Sequence, residues 1–334
     1  MELFELTKRL VNFNSVTGNE QGCGEFLRCY LAEQGYQVEV QPVEGKRSNI
    51  FAFMGQPRVV LSTHMDTVPP FVPASEDDKF IYGRGSCDAK GILAAQVEAG
   101  RRLTAMGERN FGLLFLVGEE TLSDGARAAN DRAAGSAFII NGEPTGNKLA
   151  IGSKGILRVD VWARGRMAHS AYPHLGESAI DKLLDALNDL RGMPLPKHPV
   201  LGDTTMNLGV IQGGRAANVV PDEASAQVLF RTVVDSDALE REVARRLKGR
   251  CEFKFVRSTP PLMMERLDGF ETEVVAFTTD LPNLTRWGKP LLLGPGSIDV
   301  AHTANERIGK EELLRAVELY VRLAQASLAR AAEH

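Results

Sequence analysis

The sequence predicts an α/β sandwich interrupted by an inserted α+β unit. Three observations lead there. Apolar runs alternate with helical patterns over residues 1–155 and again over 259–334. Between them, over residues 156–258, the runs switch to period two, as half-exposed antiparallel strands do. And four apolar runs of the flanking segments each lead into residues fit to hold a metal: Pro57–Ser62 into His64 and Asp66, Phe111–Gly118 into Glu119 and Glu120, Ala137–Asn141 into Glu143, and Pro290–Gly294 into a glycine-rich loop and His302. Short apolar runs bounded by turn residues read as buried parallel strands, and ligands bind outside the carboxyl ends of such strands.

Each element has its own warrant. Leu3, Leu6 and Leu10 give Glu2–Asn12 a helical stripe, which Ser15–Gly18 breaks. A second helix spans Glu20–Gln34, with Phe26, Leu27, Tyr30 and Leu31 on one face and Gly35 as its stop. Gln37–Gln41 and Asn49–Phe53 read as strands, and the Ala-rich Ala89–Met106 as a helix. In the middle segment Ile156–Ala163, Thr205–Ile211, Ala224–Arg231 and Glu252–Arg257 alternate as strands, while Ser178–Asp189 and Ala238–Leu247 read as helices. Thr259-Pro260-Pro261 closes that unit. Leu262–Thr279 as a helix, Pro290–Leu293 as a strand and Lys310–Arg330 as a helix restore the earlier style. The expected organisation is therefore a discontinuous catalytic domain, 1–155 with 259–334, carrying an inserted domain, 156–258.

Bulk properties narrow the function. A chain of 334 residues exceeds the size at which one core stops growing, about 250–300 residues. A net charge of −4 leaves no basic footprint, so nucleic acid is not an expected partner. No apolar stretch approaches the roughly 18 residues of a membrane span, so no membrane partner is expected either. The N-terminus MELFELTKRL is amphipathic and acidic, unlike a signal peptide, which makes a cytoplasmic location the expectation. Cys23, Cys29, Cys87 and Cys251 form no CxxC pair and read as reduced thiols.

The candidate centre is His64, Asp88, the pair Glu119 and Glu120, Glu143 and His302. Singly, these read as a helix N-cap, a solvated loop pair, a turn residue before Pro144 and a loop histidine. Together, at one sheet edge, they read as a metal centre. Histidine and carboxylate without cysteine suit zinc, cobalt or manganese in a catalytic site. Two imidazoles and three carboxylates exceed the needs of one catalytic ion but suffice for two ions about 3.5–4 Å apart, with one carboxylate bridging. Three carboxylates and one hydroxide balance two divalent ions. One of Glu119 and Glu120 then remains free to serve as general base and acid. Asp66, two residues beyond His64, is placed to accept the second imidazole N–H.

The motifs Ser62-Thr63-His64-Met65-Asp66-Thr67, Gly83-Arg84-Gly85-Ser86-Cys87-Asp88-Ala89-Lys90-Gly91, Gly118-Glu119-Glu120, Asn141-Gly142-Glu143-Pro144-Thr145, Arg166-Met167-Ala168-His169-Ser170, Asn218-Val219-Val220-Pro221 and Ala301-His302-Thr303-Ala304-Asn305-Glu306 occur in that order. In this the chain resembles the M20 metallopeptidase family, which includes acetylornithine deacetylase, succinyl-diaminopimelate desuccinylase and glutamate carboxypeptidase. The resemblance implies a zinc-exopeptidase-like catalytic domain with an inserted lid and dimerisation domain, hence a homodimer. It implies His64, Asp88 and Glu143 on one zinc (or cobalt) and Asp88, Glu120 and His302 on the other, with Glu119 as the base and a cis peptide after Asp88. It implies His169 as a donor to the oxyanion, and Asn218, Arg231 and the Gly294–Gly296 loop as substrate contacts, Arg231 docking an α-carboxylate. His174 has no firm role by this resemblance, and His198 and His334 read as surface residues.

The function expected is a di-zinc amidohydrolase in amino-acid metabolism that deacylates an N-acyl amino acid, in which a metal-bound hydroxide oriented by Glu119 attacks the amide. A carboxypeptidase or dipeptidase acting on a short peptide is the alternative within the same chemistry. Glu143, where an aminopeptidase branch would carry Asp, implies no tripeptidase-like activity. A catalytically inactive binding homologue is the alternative from another class, and it would be expected to have lost a ligand or the base. A serine hydrolase lacks its G-x-S-x-G elbow here.

Overall fold

A computed structural model describes residues 1–333. The predicted surface residue His334 lies outside them. The chain divides into two compact units, residues 1–151 with 264–273 and 279–334, and residues 152–263 with 274–278. The second unit is slightly larger than the expected 156–258. Leu262 and Met263 pair with Ser153 and Gly152, and the Lys154 N–H donates to the Val275 carbonyl at 3.1 Å, which draws both flanks in.

The first unit is built on a mixed sheet. Its strands lie in the order Gln37–Glu44, Arg47–Phe53, Phe111–Leu116, Val59–His64, Phe138–Asn141, Lys289–Leu292 and Leu149–Ser153. The middle four are mutually parallel, and the flanking pairings are antiparallel. Every residue of Val59–His64, Phe111–Leu116 and Phe138–Asn141 is buried. Burial on both faces is why these strands read as unbroken apolar runs. The helix Lys90–Ala105 packs on Val59–His64 and against the helices Leu3–Val11 and Lys310–Ala332. Its run of Ala and Gly lets these backbones approach closely. The four runs that led into candidate ligands are thus the four parallel strands, side by side, with their carboxyl ends at one edge.

The second unit is a four-stranded antiparallel sheet in the order Thr205–Gly213, Glu223–Thr232, Gly155–Arg164 and Glu252–Thr259. Helices Ala179–Arg191 and Ser236–Leu247 pack on it. Alternate residues, among them Leu157, Val159, Val161, Val228 and Phe230, form its core with those helices. Ser178 caps the first helix, accepting from the Asp181 N–H at 3.1 Å.

One element differs from expectation. Leu262–Thr279 contains no helix but two short strands, Leu262–Met263 and Thr272–Val275. Gly269 at φ +86° interrupts the segment, and the β-branched run Thr272-Glu273-Val274-Val275 prefers an extended backbone. The helix Asp124–Asn130 and the strand Leu149–Ser153 were absent from the sequence reading. No helix of the described residues is long and apolar enough to cross a membrane.

Candidate metal centre

Strand ends and the turns beyond them supply the side chains. His64 is the last residue of Val59–His64, and Glu143 follows Phe138–Asn141 by two. Glu119 and Glu120 follow Phe111–Leu116 through Gly118, whose φ of +76° turns the chain sharply where a Cβ would run into the Asp124 carboxylate. Asp88 precedes the helix Lys90–Ala105. It does not cap it: the N-cap is Ala89, and the Asp88–Ala89 peptide is cis. His302 stands in a loop at φ +62°, a left-handed conformation rare outside glycine.

These residues form two groups of three that share Asp88. In the first, His64, Asp88 and Glu143 bring ligand atoms within 4.8 Å of one another; in the second, Asp88, Glu120 and His302 do the same. His64 Nε2 is 3.0 Å from Asp88 Oδ1, and His302 Nε2 is 3.3 Å from Asp88 Oδ2 and 3.1 Å from Glu120 Oε1. Glu119 belongs to neither group, yet it is close enough to feel the charges of His64, Glu120 and Asp88. The two adjacent glutamates therefore diverge.

Buried charges crowd this centre. Burial, reinforced by nearby carboxylates, pushes the Glu119 and Glu143 carboxyls well above the usual range. Glu143 Oε1 is buried without a protein hydrogen bond. His302 is pushed up to about 10 by its hydrogen bonds to Asp88 and Glu120. Burial opposes a proton on His64, but hydrogen bonds to Asp66 and Asp88 outweigh it and raise the imidazole well above its ordinary value. The carboxylates draw protons to the positions divalent cations would neutralise. An all-nitrogen-and-oxygen donor set with an unpartnered buried carboxylate fits two such ions.

Asp66 does more than face the imidazole. His64 Nδ1 lies 3.0 Å from the Asp66 carbonyl and 3.5 Å from its Oδ1. The carboxylate also accepts from Thr17 Oγ1 at 2.7 Å, the Glu119 N–H at 3.1 Å and the Glu120 N–H at 3.2 Å. Burial opposes its ionisation, but the hydrogen bonds from His64 and these donors hold it below its ordinary value. Asp66 thus fixes the turn that presents both glutamates. The glycine loop differs from expectation. The Gly294 N–H is taken by Thr145 Oγ1 at 3.0 Å, so it is not free to seat a carboxylate. Gly296, at φ +82°, packs over Cys87, where a Cβ would come 2.5 Å from Sγ.

In the second unit, the short strand Ala168–His169 pairs with Val219–Val220, which places His169 beside Asn218. The Ser170 N–H donates to the Asn218 carbonyl at 3.0 Å. His169 Nδ1 accepts the Ala171 N–H at 3.1 Å, so the neutral ring carries its proton on Nε2, on an exposed side chain. Arg231 is half-buried on the sheet, where burial and the charge of Arg257 lower its pKa. Sequence reasoning gave no role to Asp280 or Glu306. Asp280 is buried with its carboxyl raised to about 7, first by burial and then by Asp66 and Asp124, and its charge bears on Glu119 and Glu143.

Comparison with known proteins places this geometry. The model of a family described as Peptidase family M20/M25/M40 matches residues 60–326. A protein of Schizosaccharomyces pombe described as peptidase M20 domain-containing is 41% identical over 98% of this chain and 85% of its own length. A probable carboxypeptidase of Aspergillus flavus is 38% identical over 96% of this chain and 86% of its own. The crystal structure of a tripeptidase from Staphylococcus aureus superposes with a TM-score of 0.81 at 23% identity, covering 97% of this chain and 98% of that one, a likeness of fold.

Proposed function

The chain belongs to peptidase family M20/M25/M40, hydrolases of amide bonds, and from that premise we propose that it removes the acyl group from an N-acyl amino acid, in the manner of an acetylornithine deacetylase. The observation that carries this is a pair of ligand triads sharing Asp88, with Glu119 beside both and a member of neither. His64, Asp88 and Glu143 would hold one zinc, and Asp88, Glu120 and His302 the other, with cobalt as the alternative metal. Bound there, the ions supply Lewis acidity to the amide carbonyl and acidify the attacking water.

The protein's own groups do the rest. Glu119 takes the proton of the attacking water and hands it to the leaving amine nitrogen. Asp66 holds the turn from which Glu119 works. The His169 Nε2–H donates to the carbonyl oxygen as it becomes negative. Arg231, a half-buried guanidinium whose charged form is costly there, docks the α-carboxylate with two parallel hydrogen bonds, and Asn218 contacts the substrate beside His169. Exposed Leu208, Val210 and Ile211 on the sheet-edge strand Thr205–Gly213 support a homodimer through the second unit, which acts as a lid and dimerisation domain. Neither a nucleic-acid nor a membrane partner is invoked, and the working location is the cytoplasm.

A second reading has its own support: relatives 37–38% identical to this chain are described as probable carboxypeptidases. The same groups would then release the C-terminal residue of a short peptide or dipeptide. A panel of N-acyl amino acids, unblocked dipeptides and N-blocked dipeptides, scored by free amine with zinc-loaded protein, tests both. Fastest turnover of N-acetyl or N-succinyl amino acids supports deacylation; fastest turnover of dipeptides supports the second reading; none on any substrate, with metal bound, refutes both.

A further inference from the structure

Arg84 and Glu306 lie outside both ligand triads and outside the mechanism above, yet they form a buried ion pair, each 3% exposed. Arg84 Nη1 donates to Glu306 Oε2 at 2.5 Å. A buried pair of charges returns little net stability, because desolvation offsets the attraction. Its geometry suggests another use.

Glu306 Oε1 accepts three backbone N–H groups, from Gly85 at 2.9 Å, Cys87 at 3.2 Å and Asp88 at 3.1 Å. The segment that carries the shared ligand is therefore wrapped around this one oxygen, as successive N–H groups wrap an anion. On the other side, Arg84 Nη1 also donates to the Thr303 carbonyl at 3.2 Å, and Arg84 Nε to the Pro70 carbonyl at 3.3 Å. Thr303 follows His302, and Glu306 ends the same loop. One ion pair thus holds the backbone of Asp88 and the backbone next to His302 in a single frame. The other triad is tied differently: His64 and Glu143 are fixed by strands that pair directly, Ser62 with Asn141, and by the Gly142 N–H donating to the Ser62 carbonyl at 2.7 Å.

We propose that the Arg84–Glu306 pair is the positioning element of the Asp88–Glu120–His302 triad. It sets the distance between Asp88 and His302 and so chiefly the affinity for the cation of that triad, while the other cation shares Asp88 but keeps two ligands, His64 and Glu143, placed by strand geometry. This rests on the dinuclear reading above. It requires no contact between Arg84 or Glu306 and substrate.

The test is a zinc titration against a competing chromophoric chelator on Glu306→Gln and on the double exchange Arg84→Met with Glu306→Leu. The double exchange removes both charges together, a change that commonly spares stability, so a melting curve of the metal-free protein near that of the parent shows an intact fold. The expectation is two zinc equivalents in the parent, and in both variants one equivalent weakened about 10- to 100-fold, the range for removing a partner that orients ligands, and the other, which shares Asp88 but keeps His64 and Glu143, weakened far less. Substituting Co2+ gives a second readout: the visible spectrum of the weakened equivalent departs from that of the parent more than the spectrum of the other does. Unchanged affinity for both equivalents, or equal weakening of both, overturns the proposal. A parent protein that binds no divalent metal refutes instead the dinuclear reading on which it rests.

Discussion

The two ligand triads share a residue but differ in construction. His64, Asp88 and Glu143 are 1%, 6% and 4% exposed, and two of them sit on or just beyond adjacent parallel strands. In the other triad Glu120 follows a turn and His302 stands in a loop, with its side chain 47% exposed and a left-handed backbone. The inner triad inherits its geometry from sheet register. The outer triad needs added constraints, and these are Asp66 for Glu120 and the Arg84–Glu306 pair for His302. Sites on strands are held more precisely than sites on loops, so the outer triad is where this centre is open to adjustment.

The largest effect expected separates chemistry from metal holding. Glu119→Gln should lower turnover by roughly 10²- to 10⁴-fold with the metal content of the parent, as measured by elemental analysis beside the kinetic assay; near-parent turnover removes Glu119 as the base. Next, His64→Ala and His302→Ala should behave differently. His302→Ala should lose one metal equivalent and keep the other, whereas His64→Ala, which leaves Asp88 and Glu143 buried without their imidazole, should lose both. Equal losses would erase the distinction between the triads.

A pH experiment sharpens the same contrast. In the metal-free protein the His302 pKa is raised to about 10. A raised imidazole stabilises the folded state fully below its unfolded value of about 6.5 and loses that contribution as pH rises through about 10. The melting temperature of metal-free protein should therefore fall between neutral pH and pH 10 more steeply than that of the zinc-loaded protein, and zinc uptake at pH 8 in weak buffer should release protons. A smaller effect belongs to Gly296→Ala. Its φ of +82° and its approach to Cys87 Sγ disfavour any side chain, with a cost of about 1–3 kcal/mol in a denaturant melt. The smallest is chemical. Cys87 is buried and burial raises its thiol well above the ordinary value, while Cys29 is exposed. Iodoacetamide at neutral pH should label Cys29 and leave turnover unchanged.

The parallel core was legible because its strands are buried on both faces. Val59, Val60 and Leu61, or Leu113, Leu114 and Phe115, need no polar alternation, so their runs stand out and their ends point to the ligands. The period-two strands of the second unit were legible for the opposite reason, one face packed and one not. The segment 262–279 misled because its apolar residues imitate a helical stripe while Gly269 and a β-branched run settle the backbone otherwise. Asp66 was found by its spacing from His64, but its hold on the Glu119 and Glu120 amides spans more than fifty residues and leaves no local pattern. Glu306 was visible only as the end of the His302 motif; its three backbone partners lie some 220 residues earlier. Periodicity reports on faces of elements, and carboxylates that gather distant amides escape it.

The order of ligands along the chain has a bearing on biosynthesis. His64, Asp88 and Glu143 all precede the second unit in the sequence, whereas His302 follows it. Synthesis therefore lays down every member of the inner triad before the second unit, and the outer triad stays one ligand short until the chain has passed through it.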